Sequence, residues 1–376
     1  MDFEFTDDQV SLRDAVHRWV EKGFGFARRH ALAKAGGATR DVYRELADLG
    51  LTALAVPEAY GGMDFGAVEA MVVCEELGRG LVNAPYVEAA LVAPTLLAGA
   101  HDALRSNWLP QIASGKVLVV PALSEAKSRY RLNQVGATAR MQGDVWALSG
   151  VKTLVPAGDE ADAFIVSARM SGKTDDTTGI GLFLVERAAA AAVHGFPTQD
   201  GARAAELHLA LTPAKLLQTD AWATLEKAAD VAVAAYAAEA VGLMEALVAI
   251  TVDYMNTRKQ FGVNIASFQA LRHRMADVKM QLELARSMSY YASLKLGEPP
   301  AQRRRAVSQA RVQLGQSMRF VGQQCVQLHG GIAMTDEYIA SHYFKRLTML
   351  ELCWGDSLHH LGEVSERMQD TAGVFA

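Results

Sequence analysis

The chain has 376 residues, half of them hydrophobic and 21% charged, with a formal net charge of −5. That length can bury a large core and form more than one domain or layer. The balance excludes a disordered chain, and the lack of a basic stripe to neutralise phosphates argues against nucleic acid as a partner.

No run of about 18 apolar residues is free of charge, so no membrane span is expected. The start, MDFEFTDD, is acidic and lacks the pattern of a secretory or transit peptide, which points to the cytoplasm. Cys74, Cys325 and Cys353 are odd in number and far apart, as reduced thiols are and disulfide frameworks are not. No histidine pair has zinc spacing, and the adjacent His359 and His360 diverge on a helix, so no metal is expected.

The first third reads as helices. Thr6 and Gln9 form a capping-box signature ahead of Leu12, Val16 and Trp19 on one helical face. Val42, Tyr43, Leu46 and Leu49 repeat that spacing until Gly50, Pro57 and Gly61-Gly62 break the chain. A further helix is expected over about 67–77, and 94–112 carries apolar residues at mixed helical spacing.

Near residue 117 the character changes. Val117–Val120 is a short apolar run, and Ala137–Arg140 with Val145–Leu148 flank the turn-forming Gln142-Gly143-Asp144, a hairpin signal. Ala163–Val166, Ile180–Val185 and Leu207–Leu211 add further short strands, predicting a small antiparallel β domain.

The helical period returns near Leu225. Long helices are expected over 226–257, 266–296 and 303–328, the last stopped by Gly330-Gly331, with a final one over 357–369. Together they predict a four-helix bundle. The expected division is a helical domain over 1–116, a β domain over 117–221 and a helical bundle over 222–376. The run Arg303-Arg304-Arg305 reads as a solvated helix face, and Glu239 as a paired bundle glutamate.

Nucleotide fingerprints fail. Gly23-Phe24-Gly25 and Gly179-Ile180-Gly181 lack the third glycine and the strand-to-helix setting, and no Walker loop or nucleophile elbow occurs. Other motifs stand out. Tyr254–Gly262 reads YMNTRKQFG, followed by Ser267-Phe268-Gln269-Ala270 and by His273–Asp277; near the end Gln327–Tyr338 reads QLHGGIAMTDEY. Leu49-Gly50-Leu51, Val56–Gly62 (VPEAYGG) and Glu76–Gly80 (ELGRG) precede them.

These four motifs, in order across essentially the whole chain, resemble the acyl-CoA dehydrogenase superfamily. The resemblance implies a mainly α fold with a β insert: a helical domain, a middle antiparallel β domain and a four-helix bundle. It also implies FAD at a subunit boundary and α,β-dehydrogenation of an acyl-CoA thioester, with an electron-transfer flavoprotein as acceptor. Arg258 matches the arginine on the FAD pyrophosphate, where a guanidinium offers paired donors to phosphate oxygens. Gln260, Phe261, Phe268 and Gln269 match positions lining the cofactor, and Gln327, Gly330 and Gly331 a backbone-rich segment on its adenosine side.

Two departures from the pattern stand out. The family's middle-domain turn is glycine-rich, suited to presenting N–H groups to phosphate; here it reads Ser124-Glu125-Ala126-Lys127-Ser128-Arg129-Tyr130. The lysine-x-tryptophan-isoleucine-threonine that touches the flavin ring is here Lys152-Thr153-Leu154-Val155-Pro156. The chemistry also needs a desolvated carboxylate to remove the α-proton while hydride leaves Cβ. Trp354 occupies the usual base position and Ala232 the alternative one, and neither side chain can accept a proton. Asp356 is the nearest replacement carboxylate and equally a helix N-cap before Ser357.

Thr198–Gly201 with Ala204-Ala205-Glu206, Ser128–Tyr130 and Tyr343–Met349 look like the small subunit of pimeloyl-CoA dehydrogenase-type enzymes. That resemblance implies a larger homologous subunit that supplies the base and an intact middle domain. A homotetramer with an unconventional base, a non-catalytic acyl-CoA- or partner-binding scaffold, and a flavin oxidase or monooxygenase on the same fold remain open.

Overall fold

The computed structural model describes residues 4–368. The helices of the first third are α1 (Asp7–Gly23), α2 (Phe26–Lys34), α3 (Arg40–Asp48) and α4 (Ala67–Arg79). A π-helical turn (Val87–Val92) then leads into α5 (Ala93–Leu97), followed by α6 (Asp102–Ala113). Seven strands follow: β1 (Val119–Ala122), β2 (Thr138–Gln142), β3 (Val145–Pro156), β4 (Ala163–Arg169), β5 (Ile180–Glu186), β6 (Ala192–Pro197) and β7 (Arg203–Gln218). The rest comprises α7 (Trp222–Thr257), the short ladder β8 (Lys259–Gln260) and β9 (Val263–Asn264), α8 (Gln269–Lys295), α9 (Pro300–His329), α10 (Ile339–Leu352) and α11 (Ser357–Glu366).

The chain divides into two compact units, one of 1–29, 67–82 and 233–376, the other of 30–66 and 83–232. In the first, the Thr6 capping box closes as read: its hydroxyl accepts from the Gln9 N–H while the Gln9 side chain accepts from the Thr6 N–H. Helices α4 and α7 touch backbone to backbone, because both carry glycine at the contact. A Cβ on Gly78 would lie 2.1 Å from the Glu239 carbonyl oxygen, and one on Gly242 would lie 1.8 Å from that of Glu75. Charges stitch the same helices together: Arg79 to Glu245 at 2.7 Å and Arg286 of α8 to Glu75 at 2.6 Å. Glu239 is a paired bundle glutamate, its carboxylate 2.6 Å from the buried Arg346 of α10.

The arginine run differs from its reading as a solvated face. Arg303 is buried, and Arg304 is turned to Glu363 of α11 at 3.2 Å, because α11 covers this side of α9. Helix α7 is long and apolar enough to cross a membrane, but 78% of its most apolar window is buried inside the protein, as in a core helix.

The second unit is built on the β sheet. The expected hairpin forms, with Gln142 opposite Val145, and β3 pairs antiparallel with the long β7. Strands β4, β2, β3, β7 and β5 close on themselves, since β4 also pairs with β5. The sheet is not purely antiparallel: β1 runs parallel to β4, and β2 meets β4 through one parallel pair. A buried cluster including Leu118, Val120, Leu148, Phe164, Val166, Phe183 and Leu207 fills the interior. Trp146 leans on Phe183 with ring centroids 5.4 Å apart.

Candidate functional site

Helix α7 ends at Thr257, and β8 and β9 turn the chain back at once through Phe261 and Gly262. Both have positive φ, 54° and 81°, the arrangement of a tight hairpin turn. That conformation suits glycine and strains a phenylalanine. It throws the Phe261 ring outward, where it is 90% exposed, with the half-exposed Phe268 edge-on at 6.1 Å. Arg258, Gln260 and Gln269 are likewise exposed. Among the described residues, no carboxylate pairs with the Arg258 guanidinium.

The second motif meets the first through apolar contacts. Met255, Ile265 and Leu328 form a buried cluster, with Leu271 and Met275 of α8 against it. This fastens the segment after the hairpin to the last turn of α9, which carries the exposed Gln327. His329 is buried beside it, donating from Nδ1 to the Cys325 carbonyl at 2.8 Å, its ring between Tyr254 and Tyr338 at 4.7 and 5.2 Å. Gly330 ends the helix at φ 68°, ψ −147°, a region essentially reserved for glycine. A Cβ on Gly331 would meet nothing within 4 Å, so the space beside that backbone is open. All eight candidate cofactor residues thus lie on or beside two segments joined by one apolar cluster. A free guanidinium, exposed amides and an outward phenyl ring fit a phosphate-bearing, flat-ringed ligand such as FAD.

The turn at Trp354, where the resemblance leads one to expect the base, is fixed differently. Trp354 has φ 55°, and its indole packs against the buried Val233, Ala234, Ala292, Val307 and Ala310 of α7, α8 and α9. Its backbone is gripped from below. The buried Arg311 guanidinium donates to the carbonyls of Gly355 and Cys353, each at 3.1 Å, and to that of Leu350. His360 Nε2 donates to the Trp354 carbonyl at 3.1 Å, leaving Nδ1 to accept from the Ser308 hydroxyl at 3.1 Å. Glu351 accepts from the Ser357 N–H at 3.1 Å and from its hydroxyl at 2.6 Å. Asp356 caps α11, accepting from the His359 N–H at 2.8 Å. Ala232, the alternative position expected for the base, is fully buried in α7. Arg311, Glu351 and His360 are the residues that sequence reasoning missed; the available signal was a lone arginine on the apolar face of α9, between Ala310 and Leu314.

His360 must be neutral to play both parts. Burial, reinforced by the nearby Arg304 and Arg311 cations, pushes its pKa down to about 2. The folded value lies far below the ordinary one of roughly 6.5, so the unfolded chain binds the proton more readily. The stability this contributes is complete above about pH 6.5 and is lost as pH falls from there. The urea midpoint should therefore drop between pH 7 and pH 5, with a shallower slope in His360→Asn. Parallel slopes in the two proteins would remove His360 from the account.

The middle segment is closed by its own side chains. Glu125 accepts from the N–H groups of Gly136 and Ala137 at 2.8 and 3.0 Å, and from the fully buried Lys152 ammonium at 2.7 Å. Ser128 seals the turn by bonding both the N–H and the carbonyl of Glu125. Leu154, in place of the family's tryptophan, sits at φ 52° with its side chain 63% exposed.

Comparison with known proteins decides the family. The chain matches the acyl-CoA dehydrogenase N-terminal domain over residues 6–116 and the C-terminal domain over 220–369. It is 30% identical over 342 residues to acyl-CoA dehydrogenase IpdE2 of Mycobacterium tuberculosis, covering 90% of this chain and 91% of that protein. This chain belongs to the acyl-CoA dehydrogenase family. Two solved structures share the acyl-CoA dehydrogenase fold over 98% of this chain and 99% of theirs: the Tcur3481-Tcur3483 steroid ACAD, at 28% identity and TM-score 0.87, and the ChsE4-ChsE5 complex of Mycobacterium tuberculosis, at 25% and 0.88. As an acyl-CoA dehydrogenase the chain is an FAD flavoprotein and an oxidoreductase acting on a CH–CH bond of an acyl-CoA.

Proposed function

We propose that this acyl-CoA dehydrogenase is the small, base-lacking subunit of an α2β2 enzyme whose larger homologous subunit supplies the base and the intact middle domain. One observation carries the reading: the residue at the base position is an indole packed into the apolar bundle cluster, its backbone locked by Arg311 and His360. The capping duty of Asp356 supports this over a homotetramer with Asp356 as base. The paired names of the two solved relatives, one of them a complex, point the same way.

In this reading Arg258, Gln260, Phe261, Phe268, Gln269, Gln327, Gly330 and Gly331 reach a FAD completed by the partner, and the bundle begins near residue 222, after a β domain from about 117. Arg258 would hold the FAD pyrophosphate, the glutamines would fix its orientation, and the two phenyl rings would keep water from it. FAD would supply the acceptor for the hydride that leaves Cβ of the acyl group, and an electron-transfer flavoprotein would be the onward acceptor.

The test is co-expression with a larger homologous dehydrogenase subunit, with flavin content and turnover measured on acyl-CoA thioesters, a steroid thioester among them. Flavin and activity should rise together in the pair and stay near zero in the isolated chain. About one FAD per chain, with turnover, in the chain purified alone would overturn the proposal.

A further inference from the structure

Helix α1 is held to the rest of its unit by few groups. Of its side chains only Val16 and Val20 are buried, and Val20 lies against Gly80, where a Cβ would meet its methyl carbon at 2.5 Å. Two polar ties run from α1 to α4. The Gln9 amide donates to the Glu69 carboxylate at 2.8 Å, and His17 Nδ1 stands 2.8 Å from the Glu76 carboxylate. An amide has no proton to lose near neutral pH, whereas an imidazole has one.

His17 faces a carboxylate on each side. Nδ1 meets the buried Glu76, and Nε2 lies 3.1 Å from Glu21, one turn further along α1. A neutral imidazole has one N–H and one lone pair, so it must turn the lone pair toward one of these carboxylates; only the imidazolium suits both. The hydrogen bond to Glu76 accordingly raises the His17 pKa above its ordinary value. Burial opposes the rise, the charges of Glu76 and Glu21 add to it, and that of Arg79 subtracts. The ring is 39% exposed, so its proton exchanges directly with water.

The other charges around it are engaged without His17. They line a cavity of about 320 Å³ bounded by α1, α4, α7 and α8. Arg79 spans Glu76 at 3.1 Å and Glu245 of α7 at 2.7 Å. Arg286 of α8 spans Glu75 at 2.6 Å and Glu245 at 3.3 Å, so Glu75, pushed up by burial, is bonded to a guanidinium and not to the imidazole. On α1 itself Arg13 lies 3.8 Å from Asp14. Tyr290 of α8, raised by burial, meets Phe5 edge-on. Arginines keep their charge throughout, which leaves His17 as the group at this contact that changes charge just above neutrality.

We propose that His17 is a pH-responsive clasp: as the imidazolium it fastens α1 to α4 through Glu76, and loss of its proton loosens the helix. The folded pKa exceeds the unfolded one of roughly 6.5, so the contribution is complete below that pH and is lost as pH rises through the folded value. This is opposite in sign to the effect of His360 and lies on the other side of neutrality. The flavin and the base-lacking reading play no part in it.

The test is amide hydrogen exchange of the full chain at pH 6 and pH 8.5, each rate divided by that of an unstructured peptide at the same pH. Opening of α1 should increase several-fold at the higher pH, by up to about tenfold for each unit separating the two pKa values, while α9 stays as protected as before. In His17→Gln the opening of α1 should be the same at both pH values. Nitrogen-15 NMR of the wild-type imidazoles gives a second measurement: the resonance missing from His17→Gln should titrate above pH 6.5 and move down in Glu76→Gln. An α1 opening independent of pH in the wild type, an equal rise in His17→Gln, or titration of His17 at or below pH 6.5 would each overturn the proposal.

Discussion

Replacing Arg258 with alanine is expected to lower FAD retention by the co-purified pair roughly a hundredfold, the order of effect seen when one member of a charge-assisted pair is removed. The fold gives little reason for the side chain to stay. Arg258 follows the end of α7, is exposed, and pairs with no carboxylate among the described residues. Its loss should therefore leave the stability of the isolated chain within about 0.5 kcal/mol, as at ordinary surface positions. Arg258→Lys should recover only part of the affinity, since an ammonium is a point charge and cannot fork onto two phosphate oxygens. Lys259→Ala, one residue on and equally exposed, is the matched control. Flavin-to-protein absorbance ratios after gel filtration give the measurement. Wild-type retention in Arg258→Ala would remove this residue from the site and leave the resemblance as a likeness of sequence only.

The parts of the fold legible in the sequence are those with strong local signals. The Thr6 capping box, the hairpin at Gly143 and the glycine stop of α9 all rest on residues whose conformational preferences act within a turn or two. What escaped lacks a periodic signal. Helix α10 is buried on most of its surface, so no polar face alternates with an apolar one. Residues 87–97 form helix while wholly apolar apart from Glu88 and Thr95, with Pro94 at the second position of α5, in the first turn where a helix tolerates it. Strand β6, with Gly195 and Pro197, is an edge strand held only by β7. The parallel direction of β1 could not be read, because a short apolar run carries no information on its partner.

The candidate site divides in the same way. That no carboxylate stands at position 354 is plain from the sequence. Where the indole goes instead depends on Arg311 of α9 and His360 of α11 holding the turn at a positive φ. Those are tertiary contacts, invisible in a local window. The pairing of Glu239 was readable in kind, but its partner Arg346 lies on a helix that was not foreseen.

The middle-domain turn supplies the largest stability effect expected. Without its glycines this turn still carries a glutamate, and Glu125 is committed to Lys152, whose ammonium is fully buried and also donates to the Leu123 carbonyl and the Ser167 hydroxyl at 3.2 and 3.1 Å. Glu125→Gln leaves that ammonium without a counter-charge, which costs about 3–5 kcal/mol. Lys152→Met should cost less, because the Glu125 side chain stays 15% exposed and keeps the N–H donors of Gly136 and Ala137. The double variant removes both charges while retaining an acceptor for those donors, and should return to within about 1–2 kcal/mol of the parent. Urea unfolding followed by fluorescence, with Trp146 packed on Phe183 reporting on the sheet, gives the three values. If the single effects simply add in the double variant, the pair is not coupled, and the turn is held by Ser128 and the backbone instead.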